Sequence, residues 1–117
     1  MRRILAVDND TDTLDVIEIL FFDTEFEVVK SDRMISIAEI AEIKPNIIII
    51  DCSLDGDSGG GLCADIKANT LTKHTPVILF SASPDLEEIA VRAGANAFIH
   101  KPFNIFNLMR SVETHAI

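Results

Sequence analysis

The chain has 117 residues, which at about 100 to 200 residues per domain leaves room for one domain over residues 1–117 and no accessory module. Hydrophobic residues make up 48% and charged residues 25%, the balance of a folded globule with a core and not of a disordered tail. Nineteen acidic against ten basic side chains give a net charge of −9, which repels phosphate backbones and anionic lipid and excludes nucleic acid and membrane as direct partners.

Ile4-Leu5-Ala6-Val7 opens the chain as a short apolar run of strand length. The acidic turn Asp8-Asn9-Asp10-Thr11-Asp12 follows, and Thr11 or Asp12 is the expected cap of a helix with Leu14, Ile17, Leu20 and Phe21 on one stripe. That turn has the look of an EF-hand loop, but Thr13 stands for its glycine and Ile19 for its last carboxylate, so calcium is excluded. Phe26-Glu27-Val28-Val29-Lys30 alternates as a half-exposed edge strand does. Met34, Ala38, Ala41 and the neighbouring isoleucines form a second helix, which stops where Pro45 disfavours helical geometry at Lys44.

Ile47-Ile48-Ile49-Ile50 is the next strand, ending at Asp51. Gly59-Gly60-Gly61 makes the start of the third helix costly, by about 1 kcal/mol per glycine against alanine, so a mobile loop is expected before Leu62, Cys63 and Ile66. Val77-Ile78-Leu79-Phe80 is the fourth strand. Ser83-Pro84 then reads as a helix cap with proline at the first helical position, and Gly94 closes that helix in the left-handed conformation. Ala97-Phe98-Ile99 is a weaker fifth strand, and Ile105, Leu108, Met109 and Val112 mark a fifth helix. Cys52 and Cys63 match neither a zinc nor a CxxC spacing and sit among apolar neighbours as packing residues, which fits a reducing compartment. His74, His100 and His115 are scattered without metal-ligand spacing. No apolar run exceeds four residues, so a cytoplasmic location is expected.

Continuous β-branched runs mean strands covered on both faces, and strands alternating with helices mean right-handed βαβ units. The fold class expected is α/β, a five-stranded parallel sheet, doubly wound, with ligands at the carboxyl ends of the strands. At those ends lie Asp8 and Asn9, Asp51, Ser81 and Lys101. Two carboxylates held close together repel unless a hard divalent cation sits between them, and magnesium is the natural occupant. A cation draws in a phosphoryl group, whose oxygens an ammonium and a hydroxyl can hold, so phosphoryl transfer is the implied chemistry.

This constellation resembles the receiver domain of two-component response regulators, the CheY-like superfamily, over essentially the whole chain. The segment Gly94-Ala95-Asn96-Ala97-Phe98-Ile99-His100-Lys101-Pro102-Phe103 looks like that family's signature around its fifth strand. The resemblance implies a flavodoxin-like strand order 2-1-3-4-5 and a phosphoacceptor at Asp51, with Lys101 and Ser81 as its catalytic companions. It further implies Mg2+ held by Asp51, Asn9 and the carbonyl of Ser53, with Asp8 acting largely through water. A switch would couple Ser81 to Phe98 and reshape the face of helix 4, strand 5 and helix 5. Ser53 and Ser83 would tune dephosphorylation. The implied partners are a histidine kinase or phosphotransfer protein and a downstream effector protein, with room for a homodimer. The chain would be no conventional enzyme, catalysing at most its own phosphorylation and dephosphorylation.

Two departures stand out. Asn9 replaces a second acidic residue, a charge worth about 4 kcal/mol at about 4 Å and an effective dielectric near 20, and Asp10 is the neighbouring carboxylate that would offset part of it. Asp55 stands where proline is usual in the loop after Asp51, adding charge beside the crevice. Both support a rival reading, a pseudo-receiver used only for docking. A further rival is a haloacid dehalogenase-type phosphatase with Asp8 as nucleophile, on the likeness of Asp8-Asn9-Asp10 to its Asp-x-Asp. That chemistry needs another acidic residue after the lysine, where this chain has Phe103-Asn104-Ile105-Phe106-Asn107.

Overall fold

The computed structural model describes residues 1–54 and 58–117, so the expectation about Asp55 lies outside the described residues. In chain order the elements are β1 (Arg2–Val7), α1 (Thr11–Phe21), β2 (Phe26–Ser31), α2 (Ile37–Ile43) and β3 (Ile47–Asp51). They continue as α3 (Gly59–Ala68), β4 (Val77–Ser81), α4 (Leu86–Ala93), β5 (Ala97–His100) and α5 (Ile105–His115). The five strands form one parallel sheet in the order β2-β1-β3-β4-β5, as the resemblance implied. Every residue of β3 and β4 is buried, whereas the outer strands β2 and β5 are partly exposed. For β2 the alternating segment had signalled this, whereas Ala97-Phe98-Ile99 read as a weak continuous run and β5 is partly exposed because it is the other edge of the sheet.

Alternate side chains of the inner strands feed two cores. Leu5, Val7, Ile48, Ile50, Val77 and Leu79 pack against α2, α3 and α4 through Ile40, Leu62, Cys63, Ile66, Leu86 and Ala90. Ile4, Ala6, Ile47, Ile49, Ile78 and Phe80 pack on the opposite face against Leu14, Ile17 and Phe21 of α1 and Leu108 and Val112 of α5. Each fully buried Leu, Ile or Phe contributes about 1.5 to 3 kcal/mol. Among the described residues, no helix is long and apolar enough to cross a membrane.

Three helix starts differ from the sequence expectation. The cap of α1 is Asp10, not Thr11 or Asp12: its extended backbone lets its carboxylate accept from the Asp12 amide. Helix α2 begins after Met34, with Ser36 as the cap accepting from the Glu39 amide. It ends at Lys44, which takes the left-handed conformation at φ 54° just before Pro45. Helix α4 begins at Leu86 and not at Pro84, because Ser83 closes a turn first: its hydroxyl accepts from Asp85 N and its carbonyl from Leu86 N. Gly94 does cap α4 in the left-handed conformation, at φ 75°.

The three glycines are part of α3, and they differ in what surrounds them. A Cβ on Gly59 would lie 2.1 Å from the carbonyl oxygen of Asp51, so this helix can approach the end of β3 only because that residue has no side chain. A Cβ on Gly60 would lie 3.1 Å from Ile89 Cγ2, and one on Gly61 would meet nothing within 4 Å.

Candidate functional site

Strand register builds the site. Val7 pairs with Ile50 across β1 and β3, so the residues that follow, Asp8 and Asp51, leave adjacent strands side by side. Ser81 ends β4, one residue beyond Phe80, the register partner of Asp51. Lys101 follows β5 and is anchored to β4 by a hydrogen bond from its amide to the Ser81 carbonyl, 2.9 Å. The Lys101–Pro102 peptide bond is cis, and Phe103 stacks on Phe80 with ring centres 5.3 Å apart.

From that anchor Lys101 reaches across the strand ends. Its ammonium donates to Asp8 Oδ2 at 2.9 Å and lies 3.5 Å from Asp51 Oδ2. Both carboxylates are almost wholly withdrawn from solvent, Asp8 2% and Asp51 3% exposed. Burial raises the Asp8 pKa, and the neighbouring Asp51 charge adds to this, while hydrogen bonds from the Asp10 amide and Lys101 oppose it. For Lys101 burial pulls the pKa down, but the hydrogen bond and charge of Asp8, with the charge of Asp51, outweigh it and leave the ammonium held above its ordinary value. Two buried carboxylates with one ammonium leave a net negative crevice, which a cation completes.

Each carboxylate oxygen has a defined neighbour. Asp8 Oδ1 accepts from the Asp10 amide at 2.9 Å. Asp51 Oδ1 accepts from both the amide and the hydroxyl of Ser53, at 3.2 and 2.9 Å. Ser81 is buried, and its hydroxyl accepts from the Ser83 amide at 2.9 Å. The Ser83 hydroxyl is engaged at the turn before α4. Asn9, the residue after Asp8, is exposed. Phe98 lies apart, 37% exposed on β5, with its ring edge-on to His100 at 5.9 Å.

The residues brought together are therefore Asp8, Asp51, Lys101 and Ser53, with Ser81 bonded to Lys101 through the backbone and Asn9 exposed next to Asp8 in the chain. Asp10 has a different part from the one its charge suggested. Oδ1 accepts from the Asp12 amide and Oδ2 from the Thr13 hydroxyl at 3.2 Å, so its carboxylate is committed to the start of α1 instead of standing in for the charge lost at Asn9. Its backbone is what serves the crevice, by fixing Asp8. The spacing of Asp10 and Thr13 was the available signal for that turn. The direct bond from the Ser53 hydroxyl to Asp51 had no sequence signal beyond nearness in the chain.

The donor set fits magnesium, a hard ion that takes oxygen ligands and usually keeps several waters. Asp8 and Asp51 supply buried carboxylate oxygens, and Asn9 an amide oxygen. Among the described residues no three His, Cys, Asp or Glu side chains form a closed cage, so bound waters would complete the coordination.

Comparison with known proteins bears directly on this geometry. The profile of the response regulator receiver domain family matches residues 4–113. Protein PilG of Pseudomonas aeruginosa is 34% identical over 86 residues, which are 72% of this chain and 64% of that protein. Other curated relatives are about twice as long as this chain, which covers 49% of one and 50% of another. The receiver domain of NtrX from Brucella abortus superimposes with a TM-score of 0.83 at 30% identity, covering 96% of each chain. The receiver domain of a sensor histidine kinase from Pseudomonas aeruginosa PAO1, described with a magnesium ion coordinated in its active-site cleft, has a TM-score of 0.83 at 25% identity, covering 97% of this chain and 96% of that one.

Proposed function

The chain belongs to the response regulator receiver domain family, and from that premise we propose that Asp51 accepts a phosphoryl group in two-component phosphorelay signalling. The single observation that carries this reading is the buried Asp8–Lys101–Asp51 cluster at the strand ends. The Asp51 oxygen facing Lys101 attacks the phosphorus of a phosphohistidine on a histidine kinase or phosphotransfer protein. The bond from phosphorus to the imidazole nitrogen breaks, the imidazole leaves, and an acyl phosphate forms.

Ser53 orients the acceptor through its two bonds to Oδ1, leaving Oδ2 as the nucleophile. Lys101 turns from the carboxylates to the new phosphoryl oxygens and offsets their charge. Magnesium, held by Asp8, Asp51, Asn9 and the Ser53 carbonyl, would supply the remaining charge neutralisation. The Ser81 hydroxyl gives up the Ser83 amide for a phosphoryl oxygen, and Phe98 turns inward into the space released. That movement reshapes the face made by α4, β5 and α5, which reports the signal to an effector protein. Ser53 and Ser83 border the path of the water that ends the signal. The buried positions of the two cysteines, Cys52 and Cys63, fit a cytoplasmic setting.

Intact-mass measurement with a small phosphodonor and a magnesium titration tests the proposal. The expected result is one phosphoryl group per wild-type chain and none on Asp51→Asn. No mass increase at any magnesium concentration would favour the docking-only reading, which the exposed Asn9 and the committed Asp10 otherwise support.

A further inference from the structure

A cavity of about 460 Å³ opens between α3 and α4, on the side of α4 turned toward α3. Small residues make the room. Gly60, Gly61 and Ala64 line its α3 side, where a Cβ on Gly61 would meet nothing within 4 Å, and Ile89 lines its α4 side. The volume lies in the range that holds a small organic ligand, about 300 to 1,000 Å³.

One end of the cavity is polar. Ser81 and Ser83 line it, and each hydroxyl is engaged as an acceptor, from the Ser83 amide at 2.9 Å and from the Asp85 amide at 3.1 Å. Among the described residues neither hydroxyl donates, so each has a hydrogen to give. Ser81 is only 6% exposed, and a donor that water barely reaches calls for an acceptor. Asp85 lines the same end, and its carboxylate makes no capping hydrogen bond to α4.

We propose that this cavity binds a small uncharged carboxamide with a branched aliphatic body. The carbonyl oxygen accepts from the Ser81 hydroxyl, an amide N–H donates to the Asp85 carboxylate, and the aliphatic part lies between Gly61, Ala64 and Ile89. Charge selects the amide over the corresponding acid. Asp85 repels a carboxylate, and so does the buried Asp51 on the neighbouring strand. Arg92, the one cation among the described lining residues, is already paired with Glu88 at 2.6 Å.

Occupancy also couples to phosphorylation, and this part rests on the function proposed above, whereas binding does not. Ser81 has one hydroxyl hydrogen, so it cannot donate to a ligand carbonyl and a phosphoryl oxygen together. Ligand and phosphoryl group therefore oppose each other, each weakening the other by the same factor.

The test is a titration of the protein with isovaleramide, followed by backbone amide NMR, beside a titration with isovalerate. Isovaleramide is expected to shift Ser81, Ser83 and Ala64 saturably and to bind about tenfold or more tighter than isovalerate. Ser81→Ala is expected to weaken it about fivefold. Ala64→Leu, at an exposed position on the wall, is expected to fill the cavity and abolish binding, and Gly61→Leu is a second filling variant. No saturable shift, equal binding of the acid, or full affinity in a folded filling variant would overturn the proposal. On protein shown by intact mass to carry one phosphoryl group, the amide is expected to bind about threefold or more weaker, and equal affinity would overturn the coupling. A chain that binds the amide but never gains mass contradicts the phosphorylation reading alone, and one that gains mass but binds no amide contradicts the cavity proposal alone.

Discussion

Asn9 stands where the receiver resemblance leads one to expect a second acidic side chain, and the structure sharpens the consequence. It is exposed while Asp8 and Asp51 are buried, and the Asp10 carboxylate bonds to the start of α1. The pocket therefore presents two carboxylates to a divalent ion where a third would strengthen it. Asn9→Asp is expected to lower the magnesium concentration for half-maximal phosphorylation by about fivefold, since one added charge at about 4 Å is worth about 1 kcal/mol even at the dielectric of water. Phosphodonor kinetics across a magnesium titration check this, and an unchanged half-point would show that residue 9 does not contact the ion.

At the scale of elements, the start of α3 is where packing and chemistry meet. The three glycines look alike in sequence, and their summed helix propensity suggested only a loose loop. Their surroundings separate them. Gly59→Ala would drive a methyl into backbone atoms of Asp51 and Cys52, an overpacking expected to cost about 3 kcal/mol and to displace Asp51. Gly61→Ala meets nothing and gains helix propensity, about 0.5 to 1 kcal/mol of stability. Urea denaturation of the two variants is the check, and equal effects would refute the close approach. The same distinction marks what could be read ahead of the coordinates. The Ile47 to Ile50 and Val77 to Phe80 runs fixed strand identity, because burial on both faces leaves an unbroken apolar pattern. Thr11 or Asp12 was expected to cap α1 and Asp10 does so instead, because the choice depends on where the backbone leaves extended geometry. Ser83-Pro84 misplaced the start of α4 by the one turn that Ser83 spends on its own hydrogen bonds.

Taken as a whole, the molecule places its chemistry at one end of a two-sided core, and the core carries its own titration. Burial pushes the Cys63 thiol up to about 11 from an ordinary value of 9.0, an effect the nearby Lys67 opposes. A pKa raised in the folded state means that the unfolded chain ionises first as pH rises. The associated stability is complete below pH 9 and is lost as pH climbs through 11, by up to about 3 kcal/mol. Wild type minus Cys63→Ala, measured as the difference in unfolding free energy at pH 8 and pH 10.5, should show that loss, and parallel pH profiles would contradict it. The site itself was legible because side chains at the carboxyl ends of parallel strands converge whatever their separation in sequence. What the sequence withheld was the hydrogen bonding that aims them, such as the Ser53 hydroxyl on Asp51 and the Asp10 amide on Asp8.

The central claim is that the Asp51 carboxylate, and no other, becomes an acyl phosphate. Borohydride reduces such a mixed anhydride to an alcohol, turning the modified aspartate into homoserine, and fragment masses then locate it. After treatment with phosphodonor and magnesium, the account predicts homoserine at position 51 alone. Homoserine at position 8, or at neither position while the chain still gains a phosphoryl group, would contradict it.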